Sequence, residues 1–135
     1  MKAQNVRERT GGAWSARPDG WWLMVEKRDI RDLAYALKMD GVRFAALTLR
    51  PEGERMRLSW HWDAGGVLLS VETLLEPDTA IPSIVDLWPG ADWAEREARD
   101  YYAVTFEGRE TTPTLMLREG DEPGVLLRSK GAVPA

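Results

Sequence analysis

The sequence contains no cysteine and a single histidine, His61. Disulfides, iron–sulfur ligation and the usual zinc sites are therefore excluded by inventory alone. No apolar run approaches the ~20 residues that a membrane-spanning helix requires, and no basic-then-apolar leader is read at the start. Basic residues never run longer than Lys27-Arg28, and the net charge of -4 is spread over both signs. That pattern argues against nucleic acid or an anionic membrane as a direct partner. The expected location is cytoplasmic, or peripheral to the cytoplasmic membrane through partner subunits.

What is present suits one folded unit. The 135 residues are 44% hydrophobic and 30% charged, enough apolar surface for a single core. Seven tryptophans are many for this length. Aromatics carry cores and interface anchors, so the count favours a large contact surface.

Residues 1–20 are polar and broken by Gly11-Gly12 and Pro18-Asp19-Gly20, and read as a flexible leader carrying Trp14. Trp21 to Val25 reads as a short buried strand. Asp29 is placed to cap a helix whose stripe is Ile30, Leu33, Ala34 and Leu37, with Gly41 placed to end it. Val42 to Leu49, apolar on both faces, reads as a central strand, and residues 51–54 as the turn after it. Met56, Leu58, Trp60 and Trp62 then alternate with Arg57, Ser59, His61 and Asp63, giving one buried and one wet face. Ala64-Gly65-Gly66 turns into a strand from Val67 to Val71. The expected fold is α+β: a mixed or mainly antiparallel sheet with helices packed on one face, over residues 21–130. Leu115-Met116-Leu117 reads as a further strand, and residues 131–135 as a flexible tail.

The segment from Ile81 to Gly108 holds the densest pattern. Ser83 with Asp86, and Asp92 with Glu95, each have the spacing of a capping box, and Pro89-Gly90 separates the two. The second helix is expected to run to about Tyr102. At 100° per residue, Trp93, Arg96, Glu97 and Asp100 share one side, with Glu95 and Arg99 opposite. Gly108 follows a strand and is a position for positive φ.

Pro82-Ser83-Ile84-Val85-Asp86-Leu87-Trp88-Pro89-Gly90-Ala91-Asp92-Trp93, followed by Glu95-Arg96-Glu97, Asp100 and Phe106-Glu107-Gly108, resembles the signature of the C subunit of respiratory NADH:quinone oxidoreductase (complex I). The same domain occurs in related membrane-bound NiFe hydrogenases. Leu126-Leu127-Arg128 is similar to that family's terminal Leu-Arg element. Ala103 stands where the family usually has glycine, Arg109-Glu110 where it has His-Pro, and Leu126 where it has proline. These departures lean towards the hydrogenase branch. The resemblance implies a complex-I-like fold and a structural subunit of a peripheral arm, with no catalytic residue, cofactor or metal of its own. It would sit beside a large hydrogenase-like subunit and a small iron–sulfur subunit that hold the clusters, with NiFe or quinone chemistry also in partners. Trp88, Trp93, Glu95, Arg96, Glu97, Asp100, Phe106, Gly108 and Arg128 would be contacts within or between subunits, Trp88 and Trp93 serving as anchors.

Two other readings compete. In an independent carboxylate-based hydrolase, Glu95, Glu97 and Asp100 would supply acid and base, or His61 a base. Against it, Glu95 and Glu97 lie about 200° apart on a helix, and a lone histidine on a strand is more often structural. A free-standing binding module would stack a ligand or peptide on exposed tryptophans. Trp60 and Trp62, however, share the apolar face of an alternating strand and fit a core.

Overall fold

The alternation read between Met56 and Trp62 lies in a hairpin of two ten-residue strands. The structure, a computed structural model, describes residues 2–109 and 121–127. Its described elements are α1 (Lys2–Thr10), β1 (Ser15–Arg17), β2 (Gly20–Met24), α2 (Ile30–Met39), β3 (Arg43–Glu52), β4 (Arg55–Ala64), β5 (Val67–Leu75), β6 (Ala80–Pro82), α3 (Ala91–Tyr102) and β7 (Thr105–Glu107). Five strands form one sheet in the order β1-β2-β5-β4-β3, antiparallel except for the parallel β2–β5 pair. β6 and β7 pair parallel in a separate two-stranded sheet. The fold is α+β. The strand expected at Leu115-Met116-Leu117, Arg128 and the tail at residues 131–135 lie outside the described residues.

Met56, Leu58, Trp60 and Trp62 of β4 are all buried, with Leu69, Val71 and Leu75 of β5 beside them. Ile30, Ala34 and Leu37 of α2 pack into the same cluster, as do Ala91 and Ala98 of α3. Period two on the strands and period 3.6 on the helices thus meet in one core. Gly65 and Gly66, both at positive φ, make the two-residue turn between β4 and β5, as such hairpins require.

Several expectations are corrected. The first twenty residues are not a loose leader. Ala3 and Val6 of α1 enter the core, the Arg7 guanidinium stacks over Trp21 at 3.5 Å, and Arg9 pairs with Asp40. Only two core-facing apolar residues mark that helix, too few for a visible stripe. The strand expected at Trp21 to Val25 is β2, which stops at Met24, and of these five residues only Leu23 is buried. Asp29 makes no side-chain cap bond; it ends a short 3-10 turn that leads into α2. Among the described residues β3 is an edge strand rather than a central one, and α3, packed against it, explains its two apolar faces. The turn after β3 is only Gly53-Glu54, since Glu52 still pairs with Arg55.

The helix-free face of the sheet is not simply wet. Arg17 reaches Glu72 at 3.3 Å, Arg57 reaches Glu72 at 3.1 Å, and Arg57 also binds Glu52. This alternating charge ladder crosses β1, β5, β4 and β3, and under it Ser59, Ser70 and Glu72 are buried. Charges so paired are the arrangement in which burial is tolerated. His61 sits in the same layer, its ring nitrogens on Thr48 Oγ1 (2.9 Å) and Ser70 Oγ (2.7 Å) and its ring edge-on to Trp22 at 5.6 Å.

Burial holds the His61 pKa below its ordinary value, with Asp19 and Glu72 opposing the shift. Its contribution to stability is therefore fully present above the unfolded histidine value near ~6.5. It is lost as pH falls from there through the lower folded value. We predict that the melting temperature drops more between about pH 7.5 and 5.5 in the wild type than in His61→Gln. Thermal melts at the two pH values check this, and equal drops would contradict it.

Candidate docking site around the charged helix

The segment from Ile81 to Gly108 forms a strand, a turn, a helix and a returning parallel strand. Ile81 pairs with Phe106, and both side chains are buried. α3 begins after Gly90, with Asp92 in its first turn and Arg99 in its last, both favourable to the helix dipole. It ends as expected at Tyr102, and Ala103 closes it at φ +56, its N–H donating to the Arg99 carbonyl at 2.9 Å.

Neither capping box forms. The Ser83 hydroxyl donates instead to Glu95 Oε1 at 2.7 Å, and the Ile84 N–H donates to Glu95 Oε2 at 3.0 Å. Arg109 Nη1 adds a third bond to Glu95 Oε1 at 3.0 Å, while its Nη2 binds Asp92 Oδ1 at 2.7 Å. Glu95 is 1% exposed. A buried carboxylate is stable only when its lone pairs are met and its charge is balanced, and this one has two neutral donors and a guanidinium. Burial opposes the charge on Arg109, yet the bonds to Asp92 and Glu95 outweigh it and hold its pKa above the ordinary value.

Asp86, freed from capping, takes a bidentate pair from Arg31 of α2 at 2.7 and 2.8 Å, and Arg31 also donates to the Ser83 carbonyl at 2.7 Å. That fork holds the Asp86 carboxyl below its usual range. The turn at 83–88 is thus clamped to α2 on one side and to α3 on the other.

The remaining expected residues divide. Trp88 is not a free anchor. Its indole is nine-tenths buried against Trp62 and Phe44, with Nε1 on the Ala34 carbonyl at 3.3 Å. Asp100 and Phe106 are also buried. Trp93 stands 62% exposed, while Arg96 and Glu97 are half-buried beside it on α3 and Arg96 pairs with Asp92 at 3.5 Å. Glu95 lies opposite them, as the helical wheel placed it, and is buried with Ala91 and Ala98 at spacings of four and three; Asp100 is buried as well. Gly108 adopts φ +87 as its position suggested. Arg109 is the residue that the pattern missed; its only signal was the departure from the family's His-Pro.

Glu95 meets three donors, and both nitrogens of His61 are engaged by hydroxyls. Trp60 and Trp62 are each 1% exposed and offer no stacking surface. Among the described residues no group of three histidine or acidic side chains is placed to hold a metal ion.

The family model described as respiratory-chain NADH dehydrogenase, 30 Kd subunit, matches residues 23–130. The chain belongs to that family. It is 31% identical over 96 residues to the NADH-quinone oxidoreductase C subunit of Cupriavidus pinatubonensis, which is 71% of this chain and 42% of that protein. It is 51% identical over 45 residues to the NADH-quinone oxidoreductase C/D 2 subunit of Aquifex aeolicus, which is 33% of this chain and 8% of that one. The chain spans less than half the length of these curated relatives. Among solved structures it matches a chain of the membrane-bound sulfane sulfur reductase, an archaeal respiratory membrane complex. The TM-score is 0.77 at 20% identity, covering 97% of this chain and 89% of that one. The likeness is one of fold.

Within the 30 Kd subunit family pattern, Ala103 now has a physical meaning. Its left-handed conformation costs an L-residue about 1–2 kcal/mol, which the glycine usual at this position would avoid. We predict that Ala103→Gly raises stability by about 0.5–1 kcal/mol. Urea unfolding checks this, and a loss of stability would contradict it.

Proposed function

We propose that this chain is a structural subunit, without a cofactor of its own, in the peripheral arm of a complex-I-like membrane redox complex. It sits beside the large hydrogenase-like subunit and the small iron–sulfur subunit, which carry the redox centres. The observation that carries this reading is the contrast across α3. One side is locked by the Glu95–Arg109–Asp92 network, and on the same helix an indole stands 62% exposed. A tryptophan held in water on a rigid mount is the usual form of an interface anchor. Family membership and the absence of any thiol ligand in the sequence support the division of labour. The proposed attachment is cytoplasmic and peripheral, through partners; the described residues contain no helix long and apolar enough to cross a membrane.

Of the two finer readings, a membrane-bound NiFe hydrogenase and a NADH:quinone oxidoreductase, the reading leans towards the hydrogenase. It rests on Ala103 and Arg109 standing where the quinone-reducing family usually has glycine and histidine. A large subunit that copurifies and carries paired Cys-x-x-Cys motifs would support it, and one lacking them would overturn it.

We predict that Trp93→Ala weakens capture of the iron–sulfur subunit by about 2 kcal/mol, roughly thirtyfold. Arg96→Ala should also lower capture. Both should leave the stability of the isolated chain within about 1 kcal/mol of wild type. Affinity purification from native membranes and thermal melts check this. Normal assembly by Trp93→Ala, or unfolding by Arg96→Ala with assembly intact, would contradict it.

A further inference from the structure

The two edges of the five-stranded sheet are finished differently. At one, β1 is only three residues long. At the other, β3 runs ten residues, and among the described residues no strand lies beyond it. Gly53-Glu54 closes the β3–β4 hairpin on the Glu52–Arg55 pair. In a two-residue hairpin the closing pair exchanges both backbone hydrogen bonds, and such pairs recur at every second residue. Arg50 and Thr48 therefore direct their N–H and C=O groups at Arg57 and Ser59. Pro51, Leu49 and Leu47 direct theirs outward. Pro51 has no N–H to offer, and a bulge between Phe44 and Ala46 interrupts the row at its other end. Proline and bulges are the devices that blunt an edge strand, and here they leave a window at Leu47 and Leu49.

That window opens on a groove of about 330 Å³, walled by Leu47 and Leu49 of β3, Glu97 and Tyr101 of α3, and Leu126. Leu126 is 41% exposed. Outward backbone donors and acceptors at strand spacing are complementary to another extended main chain, and Glu97 calls for a basic side chain in it. A second copy would not meet that demand. The basic residues of β3, Arg43 and Arg50, lie on the helix-free face, paired with Asp63 and Glu52.

We infer that the Leu47–Leu49 edge of β3 is the docking site for an extended segment of another subunit, which adds to the sheet as a sixth strand. It places an apolar side chain on Leu126 and a lysine or arginine at Glu97. This inference rests on the reading of the chain as a subunit of a larger complex and names how one partner would bind.

Amide hydrogen exchange at single-residue resolution, on the full chain alone and in the complex purified from its native membrane, tests it. Leu47 and Leu49 should exchange fast in the isolated chain and at least roughly tenfold slower in the complex, with Thr48 and Arg50 slow in both. Equal rates at Leu47 and Leu49 in the two states would overturn the docking site while leaving the subunit reading intact. Slow exchange at those two amides in the isolated chain would also overturn it, since the edge would then be covered by the chain itself or by a second copy. A chain that purifies free of other subunits would overturn both readings.

Discussion

A single buried carboxylate organises the segment from Ile81 to Arg109. Glu95 is removed from water and meets a hydroxyl, a backbone N–H and a guanidinium at hydrogen-bond distance. The donors come from two places in the chain: the turn after β6 supplies Ser83 and Ile84, and the residue after Gly108 supplies Arg109. An ionised group buried without these partners would be driven out or protonated. The desolvation of one side chain therefore dictates where three separated stretches of backbone must lie. Arg31 extends the constraint to α2 through Asp86 and the Ser83 carbonyl.

From that constraint follows the character of the surface. A helix fixed on its inner side presents its outer side without the entropy cost that a mobile element would bear on binding. Trp93 is the large apolar group so displayed, and Glu97 and Tyr101 line a groove with Leu47 and Leu49 of β3. Shape and hydrogen-bonding capacity are what such a chain contributes. The opposite side of the sheet is closed by its own charge ladder, with Glu72 held between Arg17 and Arg57.

Much of the framework was legible because local pattern and tertiary role coincide. The β4 alternation and the α2 stripe each have one buried side, so period alone identifies them. The fold class, the end of α3 and the positive φ of Gly108 followed from similar local signals. The failures share a cause: neighbours that the local pattern does not name. β3 looks central because α3 covers an edge strand. Trp88 and Trp93 are equivalent in sequence, and only the pocket formed by Phe44, Trp62 and Ala34 separates a core indole from an exposed one. Ser83 and Asp86 have capping spacing, but partners distant in sequence, Glu95 and Arg31, claim both side chains. Glu95 looks like solvated helix surface because its polarity conceals that it lies in register with Ala91 and Ala98. Arg109 falls outside the helix altogether.

The most direct test of the Glu95 account is a double-mutant cycle on stability, using Glu95→Gln, Arg109→Gln and the pair. If the buried carboxylate and the guanidinium act as one unit, the coupling energy is about 1–3 kcal/mol, because either change alone leaves the other group unmatched. Additivity within about 0.5 kcal/mol would contradict the account. Glu95 and Arg109 would then be neighbours without being partners, and the lock on α3 would lie elsewhere.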